Sequence, residues 1–195
     1  MGLSWLGGDA ANKAVGAAWP DLSIDSVEAV AQGLAHQGAA GVPVLSAGLH
    51  ARNTDRGPIA LALGDTHDAA VVPPLTQLLE AGGDESVAAA TALGRSGQKA
   101  AVKPLLAFLK TAQGAGEEEA VEALGALKDP EGKDALVNAL FSERPETRVE
   151  AVKALAALGV APQVHELEAL RSDYYREVRH AVDQTMGAAP ASAAR

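Results

Sequence analysis

Histidine and carboxylate side chains give this chain its potential for metal or acid–base chemistry, since it contains no cysteine and so no thiolate nucleophile or zinc–thiolate site. A two-metal site built from carboxylates and imidazoles needs ligands that converge from several helices. The chain has one adjacent His–Glu pair, His165 and Glu166. We therefore expect this pair to lie on a solvated helix face, and we predict no metal and no cofactor.

Two other polar groupings are better explained by helix ends than by catalysis. Asp65, His67 and Asp68 fall where one helix closes and the next is capped. The acidic run from Glu117 to Glu119 follows two glycines, and acids at a helix start favour the macrodipole. The serines have no base near them in sequence, and there is no strand to present a phosphate-binding loop. We predict no catalytic residue and no enzymatic activity.

Cations and tyrosines gather in the second half of the chain and are the candidate partner-binding residues. Arg148 and Lys153 share one predicted helix, and Arg179 follows one repeat later. Tyr174 and Tyr175 are adjacent, so one helix face cannot bury both, and an exposed tyrosine is a common interface anchor. We predict that these residues bind a protein partner. The alternative is that the two arginines tie neighbouring repeats together.

Two ladders of large apolar residues position all of these groups. Both ladders advance by 30 or 31 residues at every step, which is the signature of a repeat protein. Apolar residues spaced three or four apart around each ladder position indicate amphipathic helices. We predict an all-α, right-handed α-solenoid of about six helix pairs. The first ladder is Leu45, Leu75, Leu105, Leu136 and Leu167, and the second is Leu63, Leu93, Leu124, Leu155 and Met186.

Small residues, prolines and aspartates mark where the helices begin, end and approach each other. A glycine or alanine follows each residue of the second ladder, which predicts close helix packing at the repeat junctions. Asp129 before Pro130, and Asp68 one register earlier, are expected to cap the first helices. Prolines 73, 74 and 104 lie too far inside the predicted helices to occupy the first helical position, so we expect them to bend their helices. The predicted helix pairs are 9–36, 38–65, 68–95, 98–128, 130–159 and 161–187.

The net charge of the chain argues against several classes of binding partner. The formal net charge is −9 and the pI is near 5.0, which argues against nucleic acid and anionic membranes. Residues 1–94 hold ten acids and three bases, so the first half is the acidic one. No apolar run approaches the roughly 18 residues of a spanning helix, and the first 20 residues lack a signal-peptide pattern. We expect a cytoplasmic protein that binds neither membranes nor nucleic acid.

The sequence resembles the HEAT-repeat family, and within it the short bacterial repeats named after phycobilisome lyase subunits. The resemblance rests on Asp-Pro before a first helix and on Pro-Leu within it. It rests also on an arginine, a valine, a leucine or methionine, and then an alanine or glycine, which follow one another along the second helix. It is good over residues 68–187 and weak over 9–66. Family membership implies that the second helices line the concave side, which would place Arg148 and Arg179 on adjacent rungs. The second-helix matches are Arg148, Val152, Leu155 and Ala156, and then Arg179, Val182, Met186 and Gly187.

The sequence therefore predicts one continuous array over residues 1–187, with degenerate repeats over 1–66, regular repeats over 68–187, and a disordered tail over 188–195. The expected function is a non-catalytic scaffold or adaptor that binds a protein partner through its concave helical surface. The resemblance also allows a subunit or chaperone similar to phycobilin lyase subunits. A HEAT-like DNA glycosylase is a further alternative, but it would need a basic concave surface, against which the charge argues.

Overall fold

The computed structural model describes residues 8–52 and 54–187, and within them every regular element is a helix. The predicted tail lies outside the described residues. Twelve α-helices form six consecutive pairs, and each pair is one repeat with a first and a second helix. The pairs are α1 (Asp9–Ala18) with α2 (Ile24–Ala35), α3 (Val42–Gly48) with α4 (Arg56–Asp65), α5 (Val72–Ala81) with α6 (Asp84–Arg95), α7 (Val102–Leu109) with α8 (Ala115–Leu127), α9 (Lys133–Ala139) with α10 (Pro145–Ala157), and α11 (Glu166–Ala169) with α12 (Arg176–Met186).

Both predicted ladders form the core. The five leucines of the first ladder are completely buried, and the four leucines of the second are at most 1% exposed. Met186, at the end of the second ladder, packs partly buried against the same cluster. A single apolar cluster runs from α1 to α12, so each repeat buries its ladder residues against its neighbours. The structure is an all-α solenoid, as the ladders predicted.

The predicted aspartate caps are present, but they cap a short 3₁₀ turn that precedes each first helix. Asp68 accepts a hydrogen bond from the backbone N–H of Ala70 at 2.8 Å, and Asp129 accepts one from Glu131 at 3.0 Å. Because this turn takes up the first residues, the α-helix itself starts later than predicted. Helix α5 begins one residue before Pro73, and α7 begins at Val102.

The predicted proline bends are therefore wrong. Prolines 73 and 74 occupy the second and third positions of α5, and Pro104 occupies the third position of α7. In the first turn of an α-helix the backbone N–H groups have no partner within that helix. Proline is accommodated at such positions without loss of an α-helical hydrogen bond.

The glycines that follow the second ladder let neighbouring second helices touch through their backbones. A Cβ atom built on Gly64 would lie 2.6 Å from the carbonyl oxygen of Ala92. The same atom on Gly94 would lie 2.7 Å from the Cα of Ala123, and on Gly125 it would lie 2.6 Å from the Cβ of Ala154. No side chain fits into these gaps, so glycine is required for this spacing. The close approach predicted from the sequence is confirmed.

The second helices form the more tightly packed row of the solenoid. From α2 to α12 each second helix packs against the next one, whereas the first helices α5 and α7 are in marginal contact. In a curved stack the closely spaced row lies on the inside, so the second helices line the concave side. Of the described helices, none has the length and apolarity needed to cross a bilayer.

A polar or aromatic residue closes each end of the described array. At the start, the Trp19 ring is buried against Gly48, and its Nε1 donates a hydrogen bond to the carbonyl oxygen of Val44 at 3.1 Å. At the other end, Arg171 donates to the carboxylate of Asp183 at 2.6 Å and to the carbonyl oxygen of Gly187 at 3.0 Å. Arg171 thus fastens the end of α12 to the chain that precedes it.

Candidate functional site

Arg148 is a buried residue that joins the last two repeats. Its Nε and Nη2 atoms each donate to one carboxylate oxygen of Asp173 at 3.0 Å. Its Nη1 donates to the carbonyl oxygens of Ser142 at 2.7 Å and Glu143 at 3.2 Å, and its guanidinium carbon lies 5.5 Å from the centre of the Tyr175 ring. This position of α10 faces the next repeat, so Arg148 ties the last two repeats together, which is the alternative that the sequence left open.

The carboxylate of Asp173 is held in its charged form by these contacts. Partial burial acts to raise the pKa of Asp173. The hydrogen bonds from Arg148 and from the backbone N–H of Tyr175, together with the positive charges of Arg148 and Arg179, outweigh burial and hold the pKa of Asp173 below its usual value. A charged, doubly hydrogen-bonded pair of this kind fixes the geometry of the last repeat.

Arg179 occupies the same register as Arg148 but keeps part of its guanidinium free. Its Nη1 donates to the carbonyl oxygens of Asp173 at 2.7 Å and Tyr174 at 2.9 Å, just as Arg148 holds the carbonyls of its own loop. Within the part of the chain described, its other two guanidinium nitrogens make no hydrogen bond. Arg179 therefore fastens its own loop and still presents a cation to solvent.

A groove of about 540 Å³ runs between α10 and α12 on the second-helix side. Lys153 reaches it from α10, and Arg176, Arg179 and His180 reach it from α12. Lys153 is mostly exposed and bonds Glu150 on its own helix. Arg176 makes no ion pair with any described residue. The groove thus brings together Lys153 and Arg179, two of the residues proposed from the sequence, with Arg176 and His180 beside them.

The two tyrosines lie in the loop before α12, outside any helix. Tyr174 is 88% exposed and Tyr175 is 42% exposed, and their rings meet edge to face at 5.2 Å. The prediction of one exposed tyrosine assumed a helix, and the structure exposes both. Phe141, which sequence reasoning missed, is also largely exposed in the equivalent loop of the preceding repeat. Its position directly after the buried Leu140 was the available signal, since adjacent residues cannot share one helix face.

The glutamates at the start of α8 link repeats as well as favouring the helix dipole. Glu117 accepts a hydrogen bond from the hydroxyl of Ser142 at 3.1 Å, and Glu119 accepts one from Thr91 at 2.8 Å. Further along α8, partial burial raises the pKa of Glu122, and repulsion from Glu119 and Glu150 adds to that increase. Helix α8 is therefore acidic, whereas α10 and α12 bring Lys153, Arg176 and Arg179 to one groove.

The histidines singled out in the sequence and the acids beside them lie at helix ends. His165 is exposed at the start of α11, and His67 has a positive φ of 55° at the end of α4. Asp65 approaches Arg95 of the next repeat, with 3.7 Å between the carboxylate oxygen and the guanidinium nitrogen. In residues 8–52 and 54–187, no group of three or more histidines and carboxylates is arranged to hold a metal ion.

Three solved structures are similar to this chain to different degrees. The crystal structure of an engineered protein is 22% identical, with a TM-score of 0.59, and the match covers 90% of this chain and 94% of that one. A designed armadillo repeat protein in complex with the peptide (KR)4 is 18% identical, with a TM-score of 0.56 and coverage of 91% and 90%. Human deoxyhypusine hydroxylase in complex with glycerol is 21% identical, with a TM-score of 0.46 and coverage of 94% and 86%. At these identities the first two likenesses show the fold alone.

Family models identify the repeats themselves. The model described as HEAT repeats matches residues 114–187, and the model described as PBS lyase HEAT-like repeat matches residues 87–111. No curated protein matches the chain significantly. The two matched segments together span four second helices with their buried ladders and glycine contacts, from α6 to α12. The chain belongs to the HEAT-repeat family.

Proposed function

We propose that the protein is a non-catalytic scaffold that binds a protein partner on its concave side, at the groove between α10 and α12. The observation that carries this proposal is the convergence of Lys153, Arg176 and Arg179 from two adjacent second helices onto one groove. Guanidinium and phenol groups dominate interface energetics, and Tyr174 and Tyr175 lie directly before the helix that supplies Arg176.

Arg148 has a different role in this proposal from that of the other four predicted residues. Its guanidinium is engaged by a carboxylate and two carbonyl oxygens, so a partner would have to break those bonds to reach it. We assign it to positioning, since it holds the loop that presents Tyr175. The contact residues of the proposal are Lys153, Tyr174, Tyr175, Arg176 and Arg179.

The designed armadillo protein supports a binding role, because that solenoid was solved with a peptide bound. A second candidate function is a subunit or chaperone similar to phycobilin lyase subunits. The observation that favours it is the match of residues 87–111 to the PBS lyase HEAT-like repeat. That role needs a bilin, so incubation with a bilin and measurement of its visible absorbance would distinguish the two proposals.

Affinity capture with charge-reversed variants tests the scaffold proposal. The bait is the full chain, and the test variant is K153E/R176E, which changes two exposed groove residues. The matched control is K103E/K110E, which makes the same charge change at exposed positions of the first-helix side. We expect wild type and control to retain a shared set of proteins from native lysate, and the test variant to retain at least about tenfold less. If the test variant retained these proteins as well as wild type does, the groove would not be the binding site.

A further inference from the structure

Arginine occurs three times at one position of the second helices, seven residues before the second-ladder residue. The three residues are Arg56, Arg148 and Arg179. Arg56 bonds the carboxylate of Glu85 at 3.0 Å, and Arg148 bonds that of Asp173 at 3.0 Å. Each of these carboxylates belongs to the repeat that follows its arginine. An arginine at this position therefore reaches across the repeat junction to a carboxylate.

Arg179 is held by its own repeat in the same way as Arg148. Each is the fourth residue of its helix, and the Nη1 atom of each donates to the carbonyl oxygens of the residues six and five positions earlier. The distances are 2.7 and 3.2 Å for Arg148 and 2.7 and 2.9 Å for Arg179. Because the guanidinium is planar and rigid, these bonds also place the edge formed by its Nε and Nη2 atoms alike on both helices.

The Nε–Nη2 edge is occupied in Arg148 and open in Arg179. In Arg148 it donates to the two carboxylate oxygens of Asp173, at 3.0 Å each. In Arg179 the same two atoms make no hydrogen bond with any described residue. Helix α12 is the last one that the structure describes, so no described repeat supplies a carboxylate here. Arg179 thus has the hydrogen bonds of the Arg148 site except those that the following repeat supplies.

The charges of the groove beside this edge favour an anionic ligand. Arg176 and Arg179 both reach the groove, and neither forms an ion pair with a described residue. Of the acids that line it, Asp183 is engaged by Arg171 at 2.6 Å, and Glu177 makes no ion pair within the described part of the chain. Two guanidinium groups without a carboxylate partner therefore face one unpaired carboxylate, and an anion would compensate the excess positive charge.

The loop that fills the Arg148 site shows which carboxylate fits such an edge. The Oδ1 atom of Asp173 also accepts the backbone N–H of Tyr175 at 2.8 Å, which closes an Asx turn. The Tyr175 ring lies over the Arg148 guanidinium, with 5.5 Å between the guanidinium carbon and the ring centre. An aspartate with an aromatic residue two positions later therefore supplies both the carboxylate and the ring that an arginine binds here.

We propose that the open edge of Arg179 binds an aspartate side chain of the partner, in a turn with an aromatic residue two positions later, as Arg148 binds Asp173 and Tyr175. Two parallel N–H···O bonds need the fork of a guanidinium, which an ammonium lacks. An aspartate is preferred to a glutamate because its short side chain can accept its own turn N–H while it accepts from the arginine. The inference rests on the proposed function, since it names the chemistry of the partner at the same groove.

NMR of the arginine side chains in the full chain tests the inference, because the Nε–H group of Arg179 belongs to the open edge. The probe is the acetylated, amidated tetrapeptide of residues 172–175, and the control peptide carries D173N. We expect the probe to shift the Arg179 Nε–H resonance and the control peptide to bind at least about fivefold more weakly. Acetate, which has the carboxylate without the turn, should also bind at least about fivefold more weakly than the probe. Equal binding of the probe and either control, or shifts at Arg148 and not at Arg179, would overturn the inference.

Two charge-conserving variants test the same site from the protein side. Arg179→Lys keeps the cation but loses the fork, so it should bind the probe at least about fivefold more weakly than wild type. Arg52→Lys makes the same change at an exposed position between α3 and α4 and should bind the probe as wild type does. Unchanged binding by a folded Arg179→Lys variant contradicts the inference. If circular dichroism shows that this variant is unfolded, the comparison of the two peptides on wild type decides.

The peptide measurement and the lysate capture can fail separately. If the probe binds at Arg179 while K153E/R176E retains the lysate proteins as wild type does, the aspartate site is supported and the groove fails as the scaffold site. If K153E/R176E loses those proteins while the probe and its D173N control bind alike, the scaffold proposal is supported and the aspartate inference is overturned.

Discussion

Arg148 and Asp173 are 25 residues apart in the chain and meet through two parallel hydrogen bonds of 3.0 Å across the boundary of the last two repeats. Their side chains are only 11% and 9% exposed. The same guanidinium lies over the ring of Tyr175. The pair therefore sets the position of the loop that precedes α12, and with it the edge of the proposed partner groove.

Substitution of Arg148 by Ala should destabilise the protein by about 3 to 5 kcal/mol, because it leaves the Asp173 carboxylate buried without its partner. Chemical denaturation of the full chain measures this. The matched control is Lys153→Ala on the same helix, where an exposed ion pair is lost at a cost of about 0 to 1 kcal/mol. Equal effects of the two substitutions would show that the buried pair does not stabilise the last repeat.

Acid should weaken the same contact. Because the folded-state pKa of Asp173 lies below the unfolded value of about 3.9, its stabilisation is complete above that pH and is lost as the pH falls through the folded pKa. The difference in unfolding free energy between wild type and Asp173→Asn should therefore narrow below about pH 4. Denaturation curves of both proteins between about pH 2.5 and about pH 7 measure this difference in unfolding free energy. A difference that stays constant over that range would contradict the assignment.

Gly125→Ala should destabilise the array by about 1 to 3 kcal/mol, because the new methyl group would overlap Ala154 of the next second helix. Gly16→Ala is the matched control. A Cβ at Gly16 meets no atom within 4 Å, and alanine is the better helix former by about 0.5 to 1 kcal/mol. Thermal unfolding should thus shift in opposite directions for the two variants. A stabilising Gly125→Ala would mean that the helix spacing is not set by glycine.

The two ladders were enough to predict the solenoid, because a ladder residue is large, apolar and repeated in register. The prolines were misplaced for a local reason. A 3₁₀ turn before α5 and α7 delays the start of each helix, and apolar spacing does not distinguish this turn from the helix that follows.

The candidate site was harder to predict than the fold. From the sequence, an arginine on a helix such as Arg148 can be either an exposed polar residue or a link between repeats. The sequence does not identify its partner, because Asp173 lies in a loop of the next repeat. Arg148 and Arg179 share one register position of the second helix, which is why the sequence selected both. Arg176 and Phe141 lie outside that register, so periodicity gave no reason to select them.

Site-specific photo-crosslinking in native lysate tests the central claim most directly. A benzoylphenylalanine placed at His180 would lie in the groove between α10 and α12, and one placed at Lys103 would lie on the exposed first-helix side. The account predicts that the probe at position 180 gives a discrete protein adduct, whose formation an excess of unlabelled wild type suppresses. The probe at position 103 should give no adduct. An adduct formed only from Lys103, or equally from both positions, would contradict a partner site on the concave side of the last two repeats.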